Sequence, residues 1–288
     1  MQLFRAFANY DPTHTTRVRA LYERDIARRF TRIKRIIKEV VLDDDALGLR
    51  VNARPGRKAF NFPRSGDKVS AFMQWLQREV ENGVLEVLPG TTLRRAAQES
   101  WQNTYIQTAY QKGLASAAQG LKGAGVAVSG RWIETAFFQP IHADRVGLIY
   151  TRSYSGLKGI TDAMDAKISQ VLARGLAEGI GLRDLAGDLL AEVDKIGITR
   201  ARALARTEVI AAHAEASLNT YEEAGIEGVN ARAEFATARD NKVCPRCAAL
   251  EGRPFTLVEA RGVIPVHPNC RCAWIPIVDD PTRVRGLR

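Results

Sequence analysis

All four cysteines of this 288-residue chain lie between positions 244 and 272, and their spacing is that of a binding site. The order is Cys244-Pro-Arg-Cys247, then nineteen residues, then His267-Pro-Asn-Cys270-Arg-Cys272. Two soft donors on a tight turn, followed by a second pair or trio, is how proteins build tetrahedral zinc sites. A two-residue gap lets the thiolates of Cys244 and Cys247 face one ion, and His267 and Cys270 repeat that gap. Pro245 and Pro268 stiffen both turns and reduce the entropy lost on ordering them. There are five candidates for four positions. In an extended segment Cys270 and Cys272 point to opposite sides, so one of them is expected to be a packing residue. A structural Zn2+ is the first reading. Paired or free thiols at a compact turn are the alternative, with disulfides disfavoured in a reducing cytoplasm but able to form after release from a lysed cell. Catalytic zinc keeps an open position beside an acid or base, and no His-x-Glu precedes the first cysteine pair.

The elements that position this cluster are mostly helical. Val18, Leu21, Tyr22, Ile26, Phe30, Ile33, Ile37 and Val41 recur at three- and four-residue steps and predict a helix over 15–42, capped by Thr15 or Thr16. Asp43, Asp44 and Asp45 carry the wrong charge for a helix C-terminus and begin a loop. Residues 46–66, with Pro55, Gly56, Pro63 and Gly66, read as loop with a short strand near Leu49–Asn52. Val69, Phe72, Met73, Leu76 and Val80 form the stripe of a second helix from Asp67. Thr91 or Thr92 is expected to cap a third, running to Leu121. The stretch 122–130 reads as a flexible boundary, and Trp132, Phe137 and Phe138 as an apolar anchor. Helical period resumes from Asp144 and stops at Gly179 and Gly181; Leu182–Val193 is a short helix, broken by Gly197. A last helix runs from Thr199 to Ala224, where Gly225 stops it. Beyond it, 230–240, 254–258 and 272–278 read as strands.

The expected fold is therefore mainly α with a small C-terminal α+β module: long helices followed by a Cys/His-clasped β-rich unit. The segments are a basic helical N-terminal domain (1–140), a helical region (141–225), the β-rich Cys/His module (226–278) and a loose tail (279–288). No apolar run approaches the roughly 20 residues of a membrane helix, and the N-terminus lacks the apolar stretch of a secretory signal, so the protein is expected to be made and kept in a cytoplasm.

The net charge of +10 is unevenly placed. Residues 1–140 hold 22 Lys/Arg and 13 Asp/Glu, a net of +9, whereas the remaining 148 hold 20 and 19, a net of +1. Arg17, Arg24, Arg28, Arg32, Arg35 and Lys38 lie on the first helix and suit contact with nucleic acid or an acidic protein surface; a solvated basic face is the plainer reading. His213 reads as a partly buried structural residue, His142 as part of a helix-cap region, and His14 lies near the N-terminus. None forms a triad with a nucleophile.

One combination of residues resembles a known family. Ala205-Arg206-Thr207-Glu208 on a helix, Asp240 shortly before Cys244-x-x-Cys247, Leu250-Glu251-Gly252, and His267-Pro-Asn-Cys270-Arg-Cys272 together resemble the Mu F-like minor head proteins (head morphogenesis proteins) of tailed phages and prophages. The resemblance covers about residues 150–278 and thus makes 141–225 a Mu F-like region; members usually have a Trp where this chain has Phe235. It implies a minor capsid protein in the virion, on the capsid interior near the portal, present in a few copies and aiding head assembly and DNA packaging or ejection. Portal protein is the implied partner, with major capsid or scaffolding protein and phage DNA as further ones; no membrane and no catalysis are implied. The motif residues are read physically as well. Arg206 and Glu208 lie two apart on a helix and face different directions, so one is expected to tie the helix to the module by a charge-assisted hydrogen bond. Asp240 is expected to hold backbone amides of the Cys244–Cys247 turn, and Gly252 to supply a positive-φ position.

Two other functions compete. A zinc-clasped nuclease needs a His or paired carboxylates to activate water, and no such spacing is present. A zinc-containing DNA-binding protein would place basic residues on a helix beside the ligands, whereas Arg246, Arg253, Arg261 and Arg271 are dispersed.

Overall fold

Asp11 starts the first helix from five residues away. In the computed structural model, which describes residues 11–50, 59–86, 100–225 and 232–287, its carboxylate accepts the Thr16 backbone N–H at 3.0 Å and pairs with Arg19 at 2.8 Å. This replaces the expected Thr15 or Thr16 cap; Thr15 bonds instead to the Thr13 hydroxyl. The hydroxyls of Thr13 and Thr16 help Arg19 hold the Asp11 pKa down to about 2 against its burial.

The helices are α1 (Thr16–Lys38), α2 (Ser65–Val80), α3 (Trp101–Gly123), α4 (Gly130–Thr135), α5 (Pro140–Glu178), α6 (Leu182–Glu192), α7 (Thr199–Glu223), α8 (Pro245–Ala248) and α9 (Leu257–Ala260). The strands β1 (Arg232–Ala236), β2 (Pro254–Thr256) and β3 (Ala273–Ile277) form one antiparallel sheet in the order β2-β1-β3, with Phe235 opposite Trp274. The mainly helical chain with a small C-terminal sheet matches the fold class that the sequence predicts.

The compact units are discontinuous in sequence. One comprises 1–22, 93–152 and 205–288; the other comprises 23–92 and 153–204. In the second, Ile26, Phe30, Ile33 and Ile37 of α1, Phe72 and Leu76 of α2, and Leu157, Met164, Ile168 and Leu172 of α5 are all buried. Wide helical turns extend α1 over Glu39–Asp43 and join α6 to α7 over Val193–Ile198, so Gly197 does not break the chain there. Gly197 is buried because Phe30 packs where a side chain would stand. Asp45, at φ +49°, accepts the amides of Leu49 and Arg50 and ends the α1 region. Leu49 and Arg50 are not in a strand, and the rest of the expected strand near Leu49–Asn52 lies outside the described residues, as do Pro55, Gly56 and the expected start at Thr91 or Thr92. The third helix is described from Trp101, capped by the Ser100 hydroxyl.

The first unit is built on close approach of α3 and α7. Gly113 packs on the backbone of His213, and α7 presents Ala205, Ala212 and Ala216 to the interior. Trp132 is buried, but Phe138 is 79% exposed, so only part of the expected aromatic anchor points inward. The C-terminal residues are not loose: Leu287 is buried and exchanges backbone bonds with Ala127 and Ser129, while the Gly286 amide reaches the Ala224 carbonyl.

His213 lies in the same interior, 1% exposed, with neither ring nitrogen hydrogen-bonded among the described residues. Burial holds its pKa down to about 4 from the ordinary 6.5; the Asp11 charge opposes this, and His14 and Lys112 reinforce it. The folded state therefore keeps the ring neutral. Its contribution to stability is complete above pH 6.5 and is lost as pH falls from 6.5 towards 4, about 3 kcal/mol in all. His213→Leu should flatten the pH dependence of the urea midpoint in that window; an unchanged slope would contradict the assignment. Separately, a Cβ on Gly113 would overlap the His213 carbonyl and stand 2.7 Å from the Ala216 Cβ. Gly113→Ala should thus destabilise by about 1–3 kcal/mol, whereas Gly147→Ala, with nothing within 4 Å, should stabilise α5 by about 0.5–1 kcal/mol. Similar urea midpoints for the two variants would refute the packing argument.

Candidate metal centre

Cys244 caps α8, with Pro245 in the first helical position and the Cys247 amide 3.4 Å from the Cys244 sulfur. This short turn puts both sulfurs on one side. His267 arrives from the other strap with Nε2 3.2 Å from each of the two sulfurs. Its Nδ1 lies 2.7 Å from the Pro268 carbonyl oxygen. That oxygen can only accept, so Nδ1 carries the proton and the Nε2 lone pair faces the thiols, the tautomer a metal ligand needs. The turn after it is closed by the Cys270 amide donating to the His267 carbonyl, with Asn269 at φ +68°.

Two triads of donor atoms result, each with its atoms within 4.8 Å of one another: Cys244, Cys247 and His267, and Cys247, Cys270 and Cys272. Cys247 belongs to both. Cys270 and Cys272 do not diverge as an extended segment would make them, because β3 begins only at Ala273; both sulfurs turn towards Cys247. The four cysteines are unpaired by disulfides, and three of them are buried. Burial pushes the Cys247 thiol up to about 12. The Cys270 thiol is drawn down to about 5, mainly by a hydrogen bond from Cys272, and Cys272 is pushed up by the same contact and by burial. The Cys244 thiol is lowered by the backbone amide of Cys247.

The straps that carry the donors are held by charged pairs. Arg271, between Cys270 and Cys272, makes a two-pronged pair with Asp240, Nη1–Oδ2 2.6 Å and Nη2–Oδ1 2.7 Å. Hydrogen bonding from Arg271 keeps the Asp240 carboxyl down at about 2. Asp240 also accepts the Lys242 amide, two residues before Cys244. It thus reaches the approach to the first turn, as expected, but its main partner is the second strap. Glu251 accepts the Thr237 amide and pairs with Arg239. Gly252 has φ +74°, as expected, and donates to the Phe235 carbonyl. Beneath the straps, Phe235 and Phe255 pack edge-on against Trp274.

A helix-to-module tie is made by a residue of the module itself, Arg261. Glu208 pairs with Arg152 of α5, and Arg206 and Thr207 are half-buried on α7. The tie is Arg261, whose guanidinium reaches Glu215 at 2.7 Å, Asn219 at 3.1 Å and Glu222 at 2.5 Å, all on α7. Tyr221 adds a hydroxyl bond to the Trp274 carbonyl. Behind Asn219 runs a buried chain that sequence reasoning missed: Asn219 to the Tyr110 hydroxyl, Tyr110 to His142, His142 to Glu223, and Glu223 to the Trp132 ring N–H. His142 is therefore an interior link rather than a cap. Its partners stand 32 and 81 residues away, beyond any local signal.

Arg17, Arg24, Arg28, Arg32, Arg35 and Lys38 are all exposed on α1. At about 100° per residue they fall on one stripe roughly 120° wide. Arg29 and Lys34, off that stripe, are engaged by Glu86 and Asp194.

Residues 166–275 match the model of the family described as Phage Mu protein F like protein. The match covers a little over a third of the chain and contains α6, α7 and both donor straps. No curated protein and no solved structure matches the chain.

Arg261→Met should lower stability by about 1.5–3 kcal/mol, since Glu215 and Glu222 lose their shared guanidinium and Glu215 keeps only the longer 4.0 Å pair with Arg145. Arg232→Met, which breaks an exposed 3.3 Å pair with Asp279, should cost less than about 1 kcal/mol. Equal effects in chemical denaturation would show that Arg261 does not hold the module.

Proposed function

We propose that this chain is a minor head protein of a tailed phage, a structural component that aids head morphogenesis from the capsid interior beside the portal. The observation that carries the reading is the family match over 166–275, which takes in the donor straps together with the helices under them. The portal protein is the proposed partner, with major capsid or scaffolding protein as further contacts. The Cys/His cluster is a structural clasp. Its sulfurs are largely buried and its donors are tied back to the fold, which suits a closed structural ion rather than a catalytic one with an open position. The donor set of thiolates and one imidazole fits Zn2+, held by candidates among Cys244, Cys247, His267, Cys270 and Cys272; bound there, the ion would cross-link two straps of a small sheet.

The motif residues have supporting parts: Glu208 holds Arg152, Asp240 holds Arg271, and Gly252 shapes the turn after Glu251. The contact surface is the α1 stripe of Arg17, Arg24, Arg28, Arg32, Arg35 and Lys38, facing packaged DNA or an acidic portal surface. A zinc-containing DNA-binding protein is the second reading, favoured by the same stripe.

The direct test is mass spectrometry of purified virions and of portal complexes from infected cells. The chain should be found in both, at a few copies per head; its absence from particles would refute the proposal. Arg28→Glu with Arg32→Glu should weaken association with portal or DNA and reduce its salt dependence. Unchanged binding across a salt titration would remove the stripe from the interface.

A further inference from the structure

Exposed apolar side chains are gathered in one place rather than scattered. Of the seven large hydrophobic residues exposed among the described residues, four lie within sixteen positions: Ile133, Phe138, Ile141 and Leu148. Ile141 and Leu148, seven residues apart, share one face of α5. Beside them is a groove of about 180 Å3, walled by Leu114 and Ala115 of α3 and by Trp132, Ile133 and Phe137. The Trp132 ring N–H donates to Glu223 at 2.7 Å, so its polar atom is satisfied within the fold and the wall is preformed. An apolar cavity of ~150 Å3 takes up one benzene ring, so the groove is the size of one phenyl group. Phe138 stands at its edge, 79% exposed, its ring 5.8 Å from that of Phe137. Knob and hole are adjacent on one face, and all of these residues belong to one compact unit.

We propose that this face docks on the same face of a second copy of the chain, about a two-fold axis that seats each Phe138 in the groove of the other. A surface that carries both knob and hole is complementary to itself, the condition for an isologous contact. The rim agrees. Arg131 and Glu134 are exposed, three apart on α4, and Glu134 borders the groove. The two-fold sets Arg131 of each copy opposite Glu134 of the other. A partner of strong single charge would call for a rim of one sign. The area sets the strength. An apolar patch of this kind covers roughly 300–600 Å2, at or below the ~600 Å2 per copy of the weak class of interfaces. The dimer is therefore reversible and forms where copies are concentrated. It depends neither on the metal centre nor on the head-protein reading.

The test is sedimentation velocity of the full chain from about 1 to 200 μM. The mass should rise with concentration from 31.8 kDa towards twice that value. Phe138→Ser should weaken self-association by more than about 10-fold, with an unchanged melting temperature at low concentration, since the ring is exposed in the single chain. Arg131→Glu alone and Glu134→Arg alone should each weaken it by roughly 3–10-fold, and the two together should restore it. That rescue is specific to a contact in which the two residues meet across a two-fold. A mass that stays at 31.8 kDa throughout would overturn the proposal in favour of a partner of other chemistry, and that measurement needs no variant to fold. Self-association that survives Phe138→Ser, or that the double reversal does not restore, would overturn it too and place the contact between copies elsewhere.

Discussion

The C-terminal module cannot hold itself together by burial. Its sheet has strands of five, three and five residues, and such a small sheet buries too little apolar surface to stand alone. Its aromatic layer, Phe235, Phe255 and Trp274, covers one side, and the straps beyond it bury only a few small groups such as Leu257, Ala260 and Ile264. They are fixed instead by directional interactions: Arg271 on Asp240, Glu251 on the Thr237 amide, and donor atoms gathered in two triads that share Cys247. The rest of the unit supplies the base. Arg261 and Tyr221 join the module to α7, and α7 is joined to α3, α4 and α5 through the Tyr110–His142–Glu223 chain.

Close helix packing makes that base firm. Gly113 and the alanines of α7 let two helices approach until backbone meets side chain, and a buried polar chain whose members are satisfied specifies one arrangement rather than many. His213 is the exception, a buried ring without a hydrogen-bond partner among the described residues, held neutral by its burial. These features suit a protein whose task is to be a fixed part of an assembly. The proposed contacts belong to the surface, where the α1 stripe presents exposed cationic side chains.

Much of this was legible in the sequence because it depends on local spacing. The apolar period found α1, and Ile26, Phe30, Ile33, Ile37 and Val41 are all buried. The three C-terminal strands followed from alternation, and the donor cluster from two-residue gaps. What escaped depends on contacts between distant residues or on turn geometry. Asp11 caps α1 by folding back from outside it. Arg261 joins the module to α7 and Glu208 holds Arg152, since a periodic pattern says which way a side chain points but not what it meets. Cys270 and Cys272 converge because their segment is not yet a strand. The two compact units were hidden for the same reason: each gathers segments far apart in the chain, whereas a linear reading can only cut at 140, 225 and 278.

The central claim is that the Cys/His cluster is a structural clasp for the module and not its working part. Hydrogen exchange with and without a strong zinc chelator tests it most directly. The account predicts that chelation strips protection from residues 232–278 while α3, α5 and α7 keep theirs. Protection that is unchanged throughout, or lost equally in helices and module, would contradict it.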